Sequence, residues 1–149
     1  MTERTETRHV APPQGDYVPA VVHGGLAFSA GMTPRIGGKL RLQGRVGIEV
    51  DVAAARKAAA LAASNALLAV ADAAGGLDRI ARCLRMTVYV ACGPDFTEHT
   101  AVADGASEPL RAWLGARGTV ARTAIGVASL PSGAPVEVDL TASIVTIHW

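Results

Sequence analysis

A chain of 149 residues with 50% apolar residues and a mean hydropathy of +0.28 is long enough for one domain and carries more apolar residues than a free monomer of this length needs. The 14 basic and 13 acidic residues show no basic cluster, and only 4% of the residues are aromatic, which argues against a nucleic-acid partner and favours small metabolites. No apolar run reaches the roughly 18 to 20 residues of a bilayer crossing, so we expect the apolar surplus to lie in a subunit interface and not in a membrane.

The N-terminal residues and the cysteines bear on the domain boundary and on the expected cellular location. Residues 1–14 are polar, and we expect them to form a flexible tail before a single domain over residues 15–149. Cys83 and Cys92 form no Cys-x-x-Cys pair, which predicts two free thiols in a reducing cytoplasm. The histidines lack metal-ligand spacing, so no metal is expected, and neither cysteine has a partner for nucleophilic catalysis that its spacing reveals.

The first half of the domain has the pattern of two short hairpins and a long helix. Residues 17–30 are apolar and are interrupted by a glycine pair, which predicts two strands joined by a turn, and a second glycine pair at 37–38 predicts another turn. Asp51 is a suitable N-cap for an alanine-rich helix over residues 52–74, which a third glycine pair ends.

The middle of the domain predicts a strand and then a second helix. Residues 97–116 have helical spacing, but Gly105 and Pro109 weaken it, so the alternative is two pieces, the second of which starts near Ser107. Residues 80–91 alternate as a strand does, and the residues predicted to share its apolar face are Leu84, Met86, Val88 and Val90.

The last third contains two more strands, at 119–129 and 135–147, which a turn at 131–134 predicts to be a hairpin. The order of elements is strands, helix, strand, helix, strand, strand. It predicts an α+β fold with one mixed β-sheet and two helices packed on one face. The opposite face of the sheet then needs cover, and another subunit could provide it.

Arg122 is the long polar side chain on one face of the strand 119–129. By strand parity it shares that face with the small residues Ala124, Gly126 and Ala128, which leave a hollow beside the guanidinium. A guanidinium in a hollow is suited to clamp a carboxylate through two hydrogen bonds. The alternatives are a structural ion pair and a surface arginine on an edge strand.

Glu137 belongs to a polar stripe on the last strand and could hold a water molecule or act as a general base; it could equally lie in solvent. In the predicted hairpin Glu137 lies opposite Ala128, and Arg122 lies opposite Ser143. These two levels are about 20 Å apart along the strands. Either the two residues serve different purposes, or the site lies between subunits and a neighbour supplies Glu137.

The end of the chain resembles the signature of the RidA (YjgF) family of reactive-intermediate deaminases. The resemblance covers nearly the whole chain from about residue 15, and the segment 104–108, Asp-Gly-Ala-Ser-Glu, points to a divergent branch that is labelled endoribonuclease L-PSP or chorismate mutase-like. The segments that carry it are Ala-Arg-Thr-Ala-Ile-Gly-Val-Ala-Ser-Leu-Pro at 121–131, Val-Glu-Val-Asp at 136–139, Gly-Asp-Tyr-Val at 15–18, Ser-Ala-Gly-Met-Thr-Pro at 29–34 and Arg-Met-Thr-Val-Tyr-Val at 85–90.

The resemblance implies a chorismate-mutase-like homotrimer with ligand clefts between subunits. It implies hydrolysis of reactive 2-imino and enamine acids to 2-keto acids and ammonia, without a metal or a bound cofactor. Arg122 would hold the substrate carboxylate, Glu137 would orient the attacking water, and Tyr17 would line the cleft.

Three positions depart from the family pattern. Ala30 stands where the family has a serine, with Ser29 beside it; Ala124 stands where a cysteine is frequent; and Asp104 takes the place of an asparagine, which adds an acid near an anionic substrate. The alternative function is therefore a non-catalytic metabolite-binding or chaperone-like trimer, and ribonuclease activity is disfavoured by the charge balance. The residues expected at the substrate are Tyr17, Ala30, Asp104, Arg122 and Ala124.

Overall fold

A computed structural model describes residues 10–145, which form one mixed sheet with both helices packed on the same face. The helices are α1 (Val52–Ala74) and α2 (His99–Leu114). The strands are β1 (Ala20–His23), β2 (Leu26–Ser29), β3 (Arg35–Ile36), β4 (Lys39–Leu40), β5 (Ile80–Ala91), β6 (Ala121–Val127) and β7 (Val136–Ile144). The main sheet has the order β1-β2-β7-β5-β6, and β3 and β4 form a separate hairpin. The predicted tail lies largely outside the described residues, so it stays a prediction.

Helix α1 has the predicted bounds because both of its ends are encoded locally. The Asp51 side chain accepts a hydrogen bond from the Ala54 amide at 2.7 Å, and Gly75 takes the left-handed conformation, with φ of 100°, that ends the helix. Among residues 10–145, α1 is also the helix whose length and hydropathy would allow a membrane crossing, but 61% of its apolar window is buried inside the protein. Its hydropathy is that of a core helix.

Alanine and glycine let the two helices approach each other closely. Gly105 of α2 faces the α1 backbone, and a Cβ atom on it would lie 2.8 Å from the Arg56 Cα. Helix α2 runs without a break through Pro109, so the two-piece alternative is wrong. Val102 and Leu110, on either side of Pro109, are both fully buried, and this packing holds the helix together across the proline.

Strand β5 has the predicted bounds, but the prediction that Leu84 belongs to its buried apolar face is wrong. An irregularity in the pairing with β7 falls between Cys83 and Arg85. It turns Cys83 into the core and leaves Leu84 37% exposed. Beyond this irregularity Met86, Val88 and Val90 are buried under the helices, as their spacing predicts.

The predicted hairpin between the last two strands is wrong, because β5 lies between them. Strand β6 pairs with β5 in parallel, and β7 pairs with β5 on its other side in the antiparallel direction. The short helical turn at Pro131–Gly133 therefore starts a connection that passes over the end of β5. Strand β6 becomes the edge of the sheet.

The face of the sheet that the helices leave uncovered carries both apolar and polar side chains, and we call it the helix-free face. Its exposed apolar members include Val21, Phe28 and Ile125, which are 51%, 43% and 46% exposed. Glu137 and Tyr89 pair with each other on the same face. A surface of this composition is available to a second protein chain.

Candidate functional site

Arg122 lies on the helix side of the edge strand β6, where α2 holds it. Its Nη1 donates to the Asp104 Oδ1 at 2.9 Å and to the Ser107 Oγ at 2.8 Å, and its side chain is only 19% exposed. Within residues 10–145 its Nε and Nη2 make no side-chain hydrogen bond. A positioned guanidinium with one edge still able to donate is a suitable anchor for a carboxylate.

Asp104 is the acid in direct contact with this anchor. Its side chain is 52% exposed, so it lies at the mouth of the hollow rather than inside it. It neutralises Arg122 and, by charge repulsion, disfavours a second carboxylate there. The contact shows that Arg122 forms the structural ion pair that was one of the predicted alternatives. The role of Asp104 and Arg122 at a substrate stays a prediction.

Ala124 and Gly126 follow Arg122 on the same face of β6. They share the register of Val88 and Val90 on the neighbouring strand, which are buried in the core. Ala124 packs against the core and offers no polar group. Packing of Ala124 therefore closes this side of the hollow predicted beside Arg122, whereas Gly126, further along the strand, is exposed.

Glu137 lies on the helix-free face in contact with the segment that follows β2. A Cβ atom on Gly31 would lie 2.6 Å from the Glu137 Oε1, so any larger residue there would shift this carboxylate. Desolvation by burial, and then the nearby Asp139, raise the pKa of Glu137 above its ordinary value of 4.5. A raised pKa brings a carboxylate closer to the range in which it can exchange protons at neutral pH.

Two further titratable residues accompany Glu137 and were not singled out from the sequence. The Tyr89 Oη donates to the Asp139 Oδ2 at 3.2 Å. The charge of Asp139, followed by desolvation, raises the pKa of Tyr89. The register of β5 and β7, which places Tyr89 beside Glu137, is the signal that would have found this cluster.

Arg122 and Glu137 cannot meet within one chain. They lie on opposite faces of the sheet, on strands that β5 separates, and their β5 partners Met86 and Tyr89 are three residues apart. Three residues correspond to about 10 Å along the strand, and two strand spacings add about 10 Å across it. The predicted distance between Arg122 and Glu137 was derived from a hairpin of the last two strands, which is wrong. The observed pairing still keeps the two side chains too far apart to share a small ligand within one chain.

Tyr17 and Ala30 lie near the start of the domain. Tyr17 is 46% exposed, and its Oη accepts a hydrogen bond from the Gln14 amide at 3.0 Å. Ala30 is partly buried and donates from its amide to the Pro19 carbonyl. The hydroxyl of the neighbouring Ser29 accepts a hydrogen bond from the Leu140 amide at 2.9 Å and so joins β2 to β7. It is therefore already engaged within the sheet and does not take the place of the family serine.

The spacing of the cysteines did not reveal that Cys92 has a histidine neighbour. Its Sγ lies 3.6 Å from the His99 Nε2, although the two residues are seven apart and lie in different elements. The spacing alone could not show this, because it depends on the turn between β5 and α2. Among residues 10–145, no three His, Cys, Asp or Glu side chains are grouped as metal ligands would be.

Comparison with known proteins places this geometry in a family. Residues 2–143 match the family described as "YjgF/chorismate_mutase-like, putative endoribonuclease". This chain belongs to the YjgF/chorismate mutase-like family. The resemblance predicted from the segments around Arg122 and Glu137 is therefore confirmed, and the mixed sheet with two helices is the fold of solved YjgF structures.

Three relatives span most of the chain. Protein TCP17 of Trypanosoma cruzi is 37% identical over 132 residues, which are 87% of this chain and 81% of that protein. The Agrobacterium tumefaciens protein Atu1372, of unknown function, is 41% identical, with a TM-score of 0.84 and coverage of 87% and 83%. A structure named "putative endoribonuclease" from Shewanella oneidensis is 30% identical, with a TM-score of 0.86 and coverage of 91% and 89%.

Proposed function

We propose that this protein is a hydrolytic deaminase that converts 2-imino and enamine acids into 2-keto acids and ammonia. The observation that carries the proposal is Arg122, which α2 holds at the edge of the sheet through Nη1, while its Nε and Nη2 make no side-chain hydrogen bond within residues 10–145. Family membership supports it, because the residues that carry the resemblance include Arg122 and Glu137.

The reaction adds water across a carbon–nitrogen double bond. An enamine acid first tautomerises to the imine, water then attacks the imine carbon, and the resulting carbinolamine loses ammonia to leave the 2-keto acid. An imine is already electrophilic, so positioning and charge stabilisation are sufficient for catalysis. Arg122 would hold the substrate carboxylate through its two remaining donors, and Glu137 would accept a proton from the attacking water.

The proposal requires Glu137 to come from a neighbouring subunit. One chain keeps the two residues on opposite faces of the sheet, and the exposed apolar residues of the helix-free face offer a surface on which a neighbour could pack. We therefore propose a homotrimer with a cleft at each β6 edge, lined by Arg122 and Asp104 of one subunit and by Glu137 and Tyr17 of the next. The cytoplasm, where free thiols persist, is the proposed location.

The ion pair between Arg122 and Asp104 supports a second candidate function. Asp104 neutralises the anchor, and Ala30 and Ala124 offer no polar side chain to a substrate. A trimer of this kind would bind a small carboxylate-bearing metabolite, or unfolded chains, without turnover. Hydrolysis of an imine is the property that separates the two candidates.

The test generates 2-imino acids in situ with an amino-acid oxidase or a threonine dehydratase and follows the release of keto acid. Wild-type protein should accelerate release, and Arg122→Ala and Glu137→Gln should each lose at least about a hundredfold in rate, as expected when an anchor or a general base is removed. Arg111→Ala is the matched control, since Arg111 is an exposed arginine of α2 without a role in the proposal.

Three outcomes decide between the candidates. Equal rates for the wild-type protein and Arg122→Ala would refute the deaminase proposal. Stabilisation of the fold by keto acids without imine hydrolysis would favour the binding protein. Cleavage of RNA that Arg122→Ala abolishes would favour the nuclease activity named for the Shewanella relative.

A further inference from the structure

A second group of reactive side chains lies at the other end of β6. A cavity of about 430 Å³ opens where β5 ends and α2 begins, and Cys92 and His99 face each other in its wall. The Cys92 backbone is fixed by a hydrogen bond from its amide to the Val127 carbonyl at 3.1 Å. The His99 ring is fixed by an edge-to-face contact with Phe96, with ring centroids 5.1 Å apart. Both partners are therefore held in place before any ligand arrives.

Gly126 lets this pair lie against strand β6. A Cβ atom at this position would lie 2.6 Å from the His99 Nε2 and 3.0 Å from the Cys92 Sγ, inside the contact distance of both. Glycine is not needed there for its backbone, because a positive φ is found at other glycines and not at Gly126. The absence of a side chain lets the sulfur and the imidazole nitrogen lie directly against the β6 backbone, in the wall of the cavity.

The rest of the cavity indicates what kind of molecule would fit. Its other side chains are apolar and come from Pro94, Phe96, Val127 and Ala128. Among the residues that the structure describes, no lysine or arginine lines it. Two exposed carboxylates, Asp95 and Glu98, lie on the adjoining loop. Such surroundings disfavour an anion and suit a small, uncharged and partly apolar molecule.

We infer that Cys92 and His99 form a nucleophilic site that adds covalently to uncharged α,β-unsaturated carbonyl compounds. The Cys92 sulfur attacks the β-carbon while the thiol proton passes to the His99 Nε2, and the electrons of the double bond move to the enolate. His99 then returns the proton to the α-carbon. The sum is the addition of S–H across the carbon–carbon double bond, so no leaving group, oxidant or reductant is needed.

Cys83 is an internal control for this reactivity. It is fully buried, and desolvation by burial raises its pKa to about 11, so the folded chain should leave it unmodified. The experiment treats the folded protein with N-ethylmaleimide and follows the intact mass with time, with peptide mapping of the product. We expect one adduct, on Cys92, and a second on Cys83 only after unfolding in guanidinium.

Variants test the two features that build the site. His99→Ala should slow the modification of Cys92 at least about tenfold, at the low end of what a general base contributes. Gly126→Ala should slow it because the new methyl group would push the imidazole and the sulfur out of their present positions. Circular dichroism verifies that each variant folds, and His99→Gln is the second variant if the alanine variant does not. A maleimide that carries a carboxylate should react more slowly than N-ethylmaleimide with the wild-type protein.

Several results would overturn the inference. If Cys92 in folded His99→Ala or His99→Gln reacts as fast as in the wild-type protein, the histidine does not assist the thiol. Equal rates for the neutral and the anionic maleimide would contradict the ligand class. Preferential modification of Cys83 in the folded protein would contradict the accessibility of the site. The inference does not depend on the proposed deaminase activity, since it uses neither Arg122 nor Glu137.

Discussion

Replacing Asp104 with asparagine should tighten the binding of a 2-keto acid. The substitution removes a negative charge that lies 2.9 Å from the Arg122 Nη1 and keeps an oxygen that can accept the same hydrogen bond. Arg122 would remain positioned by Ser107, to whose Oγ its Nη1 also donates at 2.8 Å. The change therefore alters the charge at the anchor far more than its geometry.

The magnitude follows from the distance between the two carboxylates. A ligand carboxylate on the free edge of the guanidinium would lie about 5 Å from the Asp104 carboxylate, where repulsion amounts to about 0.8 kcal/mol in bulk water and about 3 kcal/mol near a protein surface. Asp104 is 52% exposed, which favours the lower value. We expect a gain of about 1 kcal/mol, which is roughly a fivefold decrease in Kd.

The assay is isothermal titration calorimetry with a simple 2-keto acid, performed at two salt concentrations. Glu108→Gln is the matched control, because Glu108 lies on the same helix and pairs with Arg56 at 3.0 Å instead of with Arg122. The gain in Asp104→Asn should shrink at high salt, since screening weakens charge repulsion. Equal or weaker binding by Asp104→Asn, or an equal gain in Glu108→Gln, would refute the role given to Asp104.

Three further predictions concern the core, the sheet and the acid. Gly105→Ala would place a methyl group 2.8 Å from the Arg56 Cα, so urea denaturation should show a loss of about 1–3 kcal/mol from overpacking, although alanine is the better helix former; unchanged stability would contradict the close contact of the helices. Ser29→Ala leaves the Leu140 amide without its acceptor and should cost about 1–3 kcal/mol in the same measurement, whereas a neutral effect would show that water replaces the hydroxyl. Glu137 can act as a base only when its carboxylate is ionised, and its pKa is raised, so kcat/KM should fall with decreasing pH through a midpoint above 4.5. A midpoint at or below this value would count against Glu137 as the base.

Local signals predicted the parts of the fold that depend on neighbours in the chain. The Asp51 cap and the Gly75 end define α1 because capping hydrogen bonds join residues only three or four positions apart. Strand β5 was predicted from the alternation of apolar and polar residues between Leu84 and Val90. Even there a register irregularity moved Cys83 into the core in place of Leu84, and alternation alone does not reveal such an irregularity.

These local signals could not predict contacts between segments that are distant in the sequence. The turn at 131–134 has the residues of a hairpin turn, yet β5 occupies the place beside β6 that a hairpin would give to β7. The resemblance to a known family pointed to Arg122 and Glu137 as candidate site residues. Neither the resemblance nor the alternation of residues along the strand predicted the contact between Arg122 and Asp104. The pairing of Cys92 with His99 likewise arises from how α2 returns over the sheet.

Helix α2 connects β5 to β6 and also supplies the two groups that touch Arg122. Residues 104 and 107 are one turn apart on this helix, and both contact the same guanidinium. Relatives with this fold could thus acquire new ligand preferences through one or two substitutions on a solvent-facing turn, while the arginine and its strand stay the same. Comparing these two positions among relatives with different substrates would show whether selectivity has diverged by that route.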